Sequence, residues 1–329
     1  MFKPNTFVKA TVTALTTCIL MACGGDDSSS DSGQEKEKTT FSYTVTPHTF
    51  TISLPDKGAR VGQNIFPVNI TTNSDSDPVS GFTPTMAPMM TMAGGHKHST
   101  PHTGCTETDA DGNAECTAYF IMASVMANGD SMGTWNIDFS LPETDEDIQF
   151  SPAVKMAMGD TTLAKLKGGI DDQMPSMIMP MASMPMEQTT TTPRTYFIFN
   201  NGITGMGENR SVELFIAAKE SMNNFPAITE GLILNENSDG ELAINSMSDV
   251  VVKVSTDNTH WEVATSQGEG IWKSANMTSL VDTFYVSLSV NGELKTTDGE
   301  IDDGESNASA IFILSSNEMS SDDISGMDM

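Results

Sequence analysis

Histidine is scarce in this chain, with five residues among 329. Basic residues are few as well: 16 Lys and Arg face 44 Asp and Glu, a formal charge of −28. A field of that sign repels nucleic acid and anionic lipid, so neither is expected as a partner. No apolar run reaches the roughly 20 residues that a membrane-crossing helix needs. A phosphate-binding loop, a dinucleotide fingerprint, a nucleophile elbow and an H-E-x-x-H helix are all missing. His48 and His260 stand alone, and acidic residues are so common that pairs of them arise by chance. An enzyme is therefore not expected. Aromatic content is low, at 7%, yet the length leaves room for two domains of ordinary size.

What is present begins with an export signal over residues 1–22. Lys3 and Lys9 supply positive charge, and Thr11 to Met21 is a short apolar core. Leu20-Met21-Ala22-Cys23 then resembles a bacterial lipobox, in which the chain is cut before a cysteine that becomes lipidated. The plainer reading is an ordinary signal peptide with a chance cysteine. Gly24, where an Asp would resemble an inner-membrane retention signal, favours the outer membrane. Loss of residues 1–22 removes two lysines and no acid, which moves the charge to about −30. Residues 23–39 are polar and low in complexity, as a flexible linker requires.

The most informative stretch runs from Thr85 to His102. It holds Met86, Met89, Met90, Met92, His96, His98 and His102, seven soft donors in 18 residues. Thioether sulfur and imidazole suit copper, Cu(I) above all, and suit hard cations poorly. The competing reading is that methionine simply fills core gaps. Pro88, Gly94, Gly95 and Pro101 argue against a regular strand or helix across the stretch, so an exposed Met/His loop is expected.

Two cysteines remain in the mature body. Cys105 and Cys116 flank a segment with an Asp111-Gly112 turn signal, and a hairpin there sets them opposite each other. In an oxidising compartment they should form a disulfide; a thiolate copper pair is the rival. The same segment begins like a calcium loop, but Ala118 stands where the bidentate Glu belongs, which rules out an EF-hand.

Around these features the pattern is strand, turn, strand. Thr49 to Leu54, Asn64 to Ile70 and Thr117 to Ala123 read as strands. Trp135, Ile137, Phe139 and Leu141 share one face of another. The expected class is all-β, with two immunoglobulin-like β-sandwich domains over residues 40–150 and 151–315 and an acidic tail over 316–329. Met122 reads as core, while Met126 and Met132 flank a turn.

Gly62-Gln63-Asn64 at a strand start, Asp77-Pro78-Val79 in a turn, the Met/His stretch and Gly133-Thr134-Trp135 follow one another in order. Over about residues 45–142 this resembles the YtkA-like/FixH-like family of exported immunoglobulin-like domains. The resemblance implies copper handling, with ligands falling on Met86, Met89, Met90, Met92, His96 and His98. The Cys105–Cys116 hairpin and the length of the Met stretch depart from that pattern.

The second half carries its own methionine run, Met174 to Met186, with Pro175, Pro180 and Pro185 spaced by five. Soft-metal binding, an adhesive surface or an oxidant sink would each account for it. Strands follow at Thr195 to Phe199, Ser211 to Ala217, Val250 to Val254, Thr283 to Val290 and Ala310 to Leu314. The shared order of strands, Met-rich segment and Trp strand suggests a diverged duplication. The expectation is a lipid-anchored envelope protein that binds or delivers Cu(I), with a copper-donating or copper-accepting envelope protein as its partner. The alternative is a structural or interaction lipoprotein without a dedicated metal.

Overall fold

Every regular element in the computed structural model is a β-strand, and no α-helix occurs among the described residues. Those residues are 38–126, 128–144, 146–175, 191–206, 209–236, 242, 244–277, 282–300 and 307–314. The export signal, Cys23, the linker and the acidic tail lie outside them. So does the methionine run beyond Pro175.

The first half contains β1 (Thr40–Val45), β2 (His48–Ser53), β3 (Gly62–Thr72), β4 (Thr85–Met92), β5 (Lys97–Ser99), β6 (His102–Cys105), β7 (Asn113–Phe120), β8 (Gly133–Ser140) and β9 (Asp147–Phe150). They form two antiparallel sheets, β1-β2-β3-β7-β6 and β5-β4-β8-β9. Side chains alternate across a strand, so one face of each sheet can be apolar. On β8, Trp135, Ile137 and Phe139 turn inward and are fully buried. They meet Phe50, Ile52, Phe66, Ile70 and Phe120 from the other sheet in one core. Each large side chain removed from water in this way contributes about 2 kcal/mol.

Cys105 and Cys116 are direct partners in the β6–β7 register and are joined as a disulfide, with Cα atoms 4.0 Å apart. The connecting turn uses Gly112 at φ +77°. A Cβ there would sit 2.4 Å from the Ile70 carbonyl oxygen, so both the conformation and the space demand glycine. Asp109 closes the turn by accepting the Asp111 and Asn113 amides at 2.9 and 2.8 Å.

The second half contains β10 (Leu163–Lys167), β11 (Gln173–Pro175), β12 (Thr191–Pro193), β13 (Thr195–Thr204), β14 (Ser211–Ala218), β15 (Ile233–Leu234) and β16 (Asn245–Ser246). It continues with β17 (Val250–Ser255), β18 (Glu262–Val263), β19 (Thr265–Gly268), β20 (Ile271–Lys273), β21 (Thr283–Val290), β22 (Glu293–Leu294) and β23 (Ala310–Ile313). β11-β12 and β15-β16 form two-stranded pairs, and the two larger sheets are β10-β13-β14-β20-β19 and β18-β17-β21-β22, with β23 also on β21. Leu214, Ile216, Trp272, Val252, Val254, Phe284, Leu288 and Phe312 build the core between them.

At one edge of that core lies a buried ion network. Asp172 accepts Arg194 Nε at 2.9 Å and Lys295 Nζ at 2.8 Å, and it also accepts the Tyr196 hydroxyl. Arg194 further donates to Glu220 and to Asn235 Oδ1, so the guanidinium is paired on several sides. Burial is tolerated because each charge finds a partner.

Three strands break the alternation. On β13, Tyr196, Phe197, Ile198 and Phe199 are all buried, and so are Leu214 to Ala218 on β14. Tyr119 and Phe120 are likewise both buried on β7. A continuous apolar run means a strand covered on both faces. Tyr119, Phe197, Phe199, Phe215, Ala217 and Phe225 form a third cluster. Through it the outer face of one sandwich packs on the outer face of the other.

Candidate metal centre

Thr85 to Met92 is a strand, which corrects the expectation of an irregular loop. β4 lies inside its sheet, between β5 and β8, and its side chains alternate inward and outward. Pro88 is accommodated by its position. The Met92 amide donates to the His96 carbonyl at 2.8 Å, and amides two residues apart point the same way. Pro88 therefore lacks its N–H on the side facing β5, where the paired register stops at Met89–Ser99. The Ser99 hydroxyl instead donates to the Pro88 carbonyl at 2.7 Å. Gly94 and Gly95 are used in the hairpin turn into β5, with Gly95 at φ +83° and its amide on the Met92 carbonyl.

This geometry disperses the seven expected ligands. Met86 is only 5% exposed and faces the core, paired with Phe139. It lies four residues from Met90, about 13 Å along the strand, too far to share an ion with it. Met89 turns outward and is half-buried, while His96 in the turn and His102 on β6 are exposed. His102 also belongs to the opposite sheet. These positions do not form one centre, because a strand sends successive side chains to opposite faces.

Two of the seven are brought together. Met90 faces His98 across β4–β5 and Trp135 across β4–β8, and all three are buried on the same face. The His98 and Trp135 rings meet edge to face, with centroids 5.2 Å apart at 88°. Gly133 makes room at this level. A Cβ on it would come within 2.9 Å of the Met90 methyl and 2.5 Å of the Thr91 carbonyl. In Gly133-Thr134-Trp135, then, the glycine admits the thioether and the tryptophan covers the imidazole. Met92, two residues from Met90 and of the same parity, is half-buried about 7 Å further on.

His98 has a specific protonation state. Its Nδ1 lies 2.9 Å from the Ser99 carbonyl, which can only accept, so in the neutral ring Nδ1 carries the proton. Nε2 then presents a lone pair, and it has no hydrogen-bond partner among the described residues. Burial pushes the His98 pKa below the usual histidine range. The Ser99 bond opposes that shift and the Lys219 charge adds to it. An imidazole whose second nitrogen is tied to a backbone carbonyl is the usual arrangement of a metal-ligating histidine.

Trp135 and Ser99 complete this environment. Neither stands out as a metal-site residue in the sequence, because their roles depend on which strands pair and in which register. Met174 is buried on β11. Among the described residues no three of His, Cys, Asp and Glu converge on a common point.

No family model matches the chain, and no curated protein matches it. A solved structure described as that of the conserved domain protein from Bacillus anthracis aligns over 77% of this chain and 77% of its own, at 9% identity and a TM-score of 0.26.

Proposed function

We propose that the protein is an envelope lipoprotein, anchored through Cys23 at the outer membrane, that binds Cu(I) and passes it to another copper-handling envelope protein. The observation that carries this reading is the buried Nε2 of His98, which has no hydrogen-bond partner among the described residues, on the residue paired with Met90 across β4–β5. A buried acceptor without a donor costs about 1–3 kcal/mol, a cost that a Lewis acid relieves. Both donors are neutral, so no proton needs to leave when a soft ion binds. The negative charge of the whole chain raises the local concentration of cations. Access is through β5, a three-residue edge strand whose opening exposes Nε2.

The test is a titration of the full chain with Ag(I), a redox-inert stand-in for Cu(I) that leaves the disulfide intact, read by tryptophan fluorescence. One equivalent quenches Trp135, and Trp135→Phe removes the signal. His98→Phe and Met90→Leu abolish the quenching. Unchanged quenching in both variants overturns the assignment.

A second reading has its own support. Ile311 and Ile313 on β23 are 49% and 57% exposed, an apolar face suited to contact with another protein. A chain that binds neither Ag(I) nor Cu(I) is then an interaction lipoprotein.

A further inference from the structure

A second concentration of methionine lies where the two sandwiches join. A cavity of about 390 Å³ opens between the β7–β8 connection and the segment leading into β10. Met122, Met126, Met132 and Met156 line it, with Asp160 as the acidic group. The backbone beneath them is held firmly. Trp135 Nε1 donates to the Met122 carbonyl at 2.9 Å, and the Met126 and Met132 amides bond to the Asp130 and Ser124 carbonyls at 2.8 Å each. The linker that carries Met156 is stapled to the first sandwich by Val61 N–H to the Lys155 carbonyl and by the Thr162 hydroxyl to the Val61 carbonyl, at 2.9 and 3.0 Å. Gly62, at φ +107°, permits this approach, since a Cβ there would lie 2.7 Å from the Thr162 Cβ.

The backbone is thus fixed; Met122 and Met132 rest partly buried against the first core, and Met126 and Met156 keep the freer side chains. Met126 and Met156 are 46% and 50% exposed, so they do not act as core fillers. The geometry points to a second soft-cation site, at which the thioethers of Met122, Met126, Met132 and Met156 hold Cu(I) or Ag(I) at the junction of the two sandwiches. This inference deepens the copper reading and rests on it for the identity of the ion. The cavity lining contains no imidazole and no thiol, so binding there depends on neutral sulfur. Openness to solvent makes this site the readily exchanging one, in contrast to the enclosed His98.

The experiment uses the full chain with ¹³C-methyl methionine, titrated with Ag(I) and followed by NMR. The methyl signals of Met122, Met126, Met132 and Met156 shift together. In the Met126→Leu/Met156→Leu variant, where exposed and near-isosteric replacement preserves the fold, affinity at this site falls about tenfold or more. His98→Phe leaves these shifts intact while abolishing the Trp135 response. If the pocket methyls stay still while Met90 responds, the junction site is wrong and the His98 site stands. If the pocket methyls respond while Met90 and Trp135 do not, the junction site stands and the His98 site falls. Pocket methyls that respond to an apolar dye and not to silver overturn the metal assignment.

Discussion

Tyr119 and Phe215 stack nearly face to face across the two sandwiches, with ring centroids 3.9 Å apart and planes 12° from parallel. Tyr119 projects from the outer face of β7, the face that usually meets water. Its hydroxyl accepts from Gln63 and Asn201 at 3.5 and 3.4 Å, so a polar tip on a fully buried ring stays partnered. Phe199 packs against both rings.

Tyr119→Ala removes the central ring of this interface and costs about 3–5 kcal/mol, as for other large-to-small core changes. Tyr119→Phe keeps the stack and loses only the hydroxyl bonds, about 1 kcal/mol. Urea unfolding of the wild type is expected to show one coupled transition for the two sandwiches. The alanine variant separates the transition into two steps, and an unsplit, unshifted curve would refute the role given to this ring.

His98→Leu tests stability against binding. It removes a buried acceptor that lacks a donor, so the metal-free protein keeps its stability or gains up to about 1–3 kcal/mol. The same variant no longer responds to Ag(I) at Trp135. A loss of several kcal/mol in the absence of metal would mean that the imidazole is wanted for packing alone.

Asp172→Asn leaves Arg194 and Lys295 buried with half their compensation gone, a loss of about 3–5 kcal/mol in a denaturant titration. The wild-type pH dependence has a definite sign. Burial alone would raise the Asp172 pKa, but Lys295, Tyr196 and Arg194 outweigh it and hold the carboxyl below its ordinary value. The unfolded chain therefore takes up a proton first. Stability from this group is present above about pH 4 and is lost as pH falls toward the folded pKa. The Asn variant lacks that acid-dependent loss.

Replacing Cys105 and Cys116 together by serine opens a loop of sequence separation 11 and costs about 2–3 kcal/mol. The disulfide sits in the sheet opposite β4, so Ag(I) quenching of Trp135 persists in this variant. Its disappearance would tie the hairpin to metal binding.

The all-β class was legible because alternation is strong where one face meets water, as from Trp135 to Leu141. The methionine strand was not. Pro88, Gly94 and Gly95 have the composition of a loop, and only the end of the β5 register explains why Pro88 is harmless inside a sheet. Met90 and His98 could be named from residue type, but the inward direction of both follows from a pairing that residue type does not encode. The junction cavity was least visible, since Met156 is 24 residues beyond Met132 and the linker brings it back.

The Ser99 amide donates to the Met222 carbonyl at 2.8 Å, and this bond joins β5 of the first sandwich to a loop of the second. Ser99 is also the residue whose carbonyl orients His98. Any force that separated the two halves would reach this strand through the Ser99 amide. Strain between the halves would therefore fall on the strand that carries the buried imidazole.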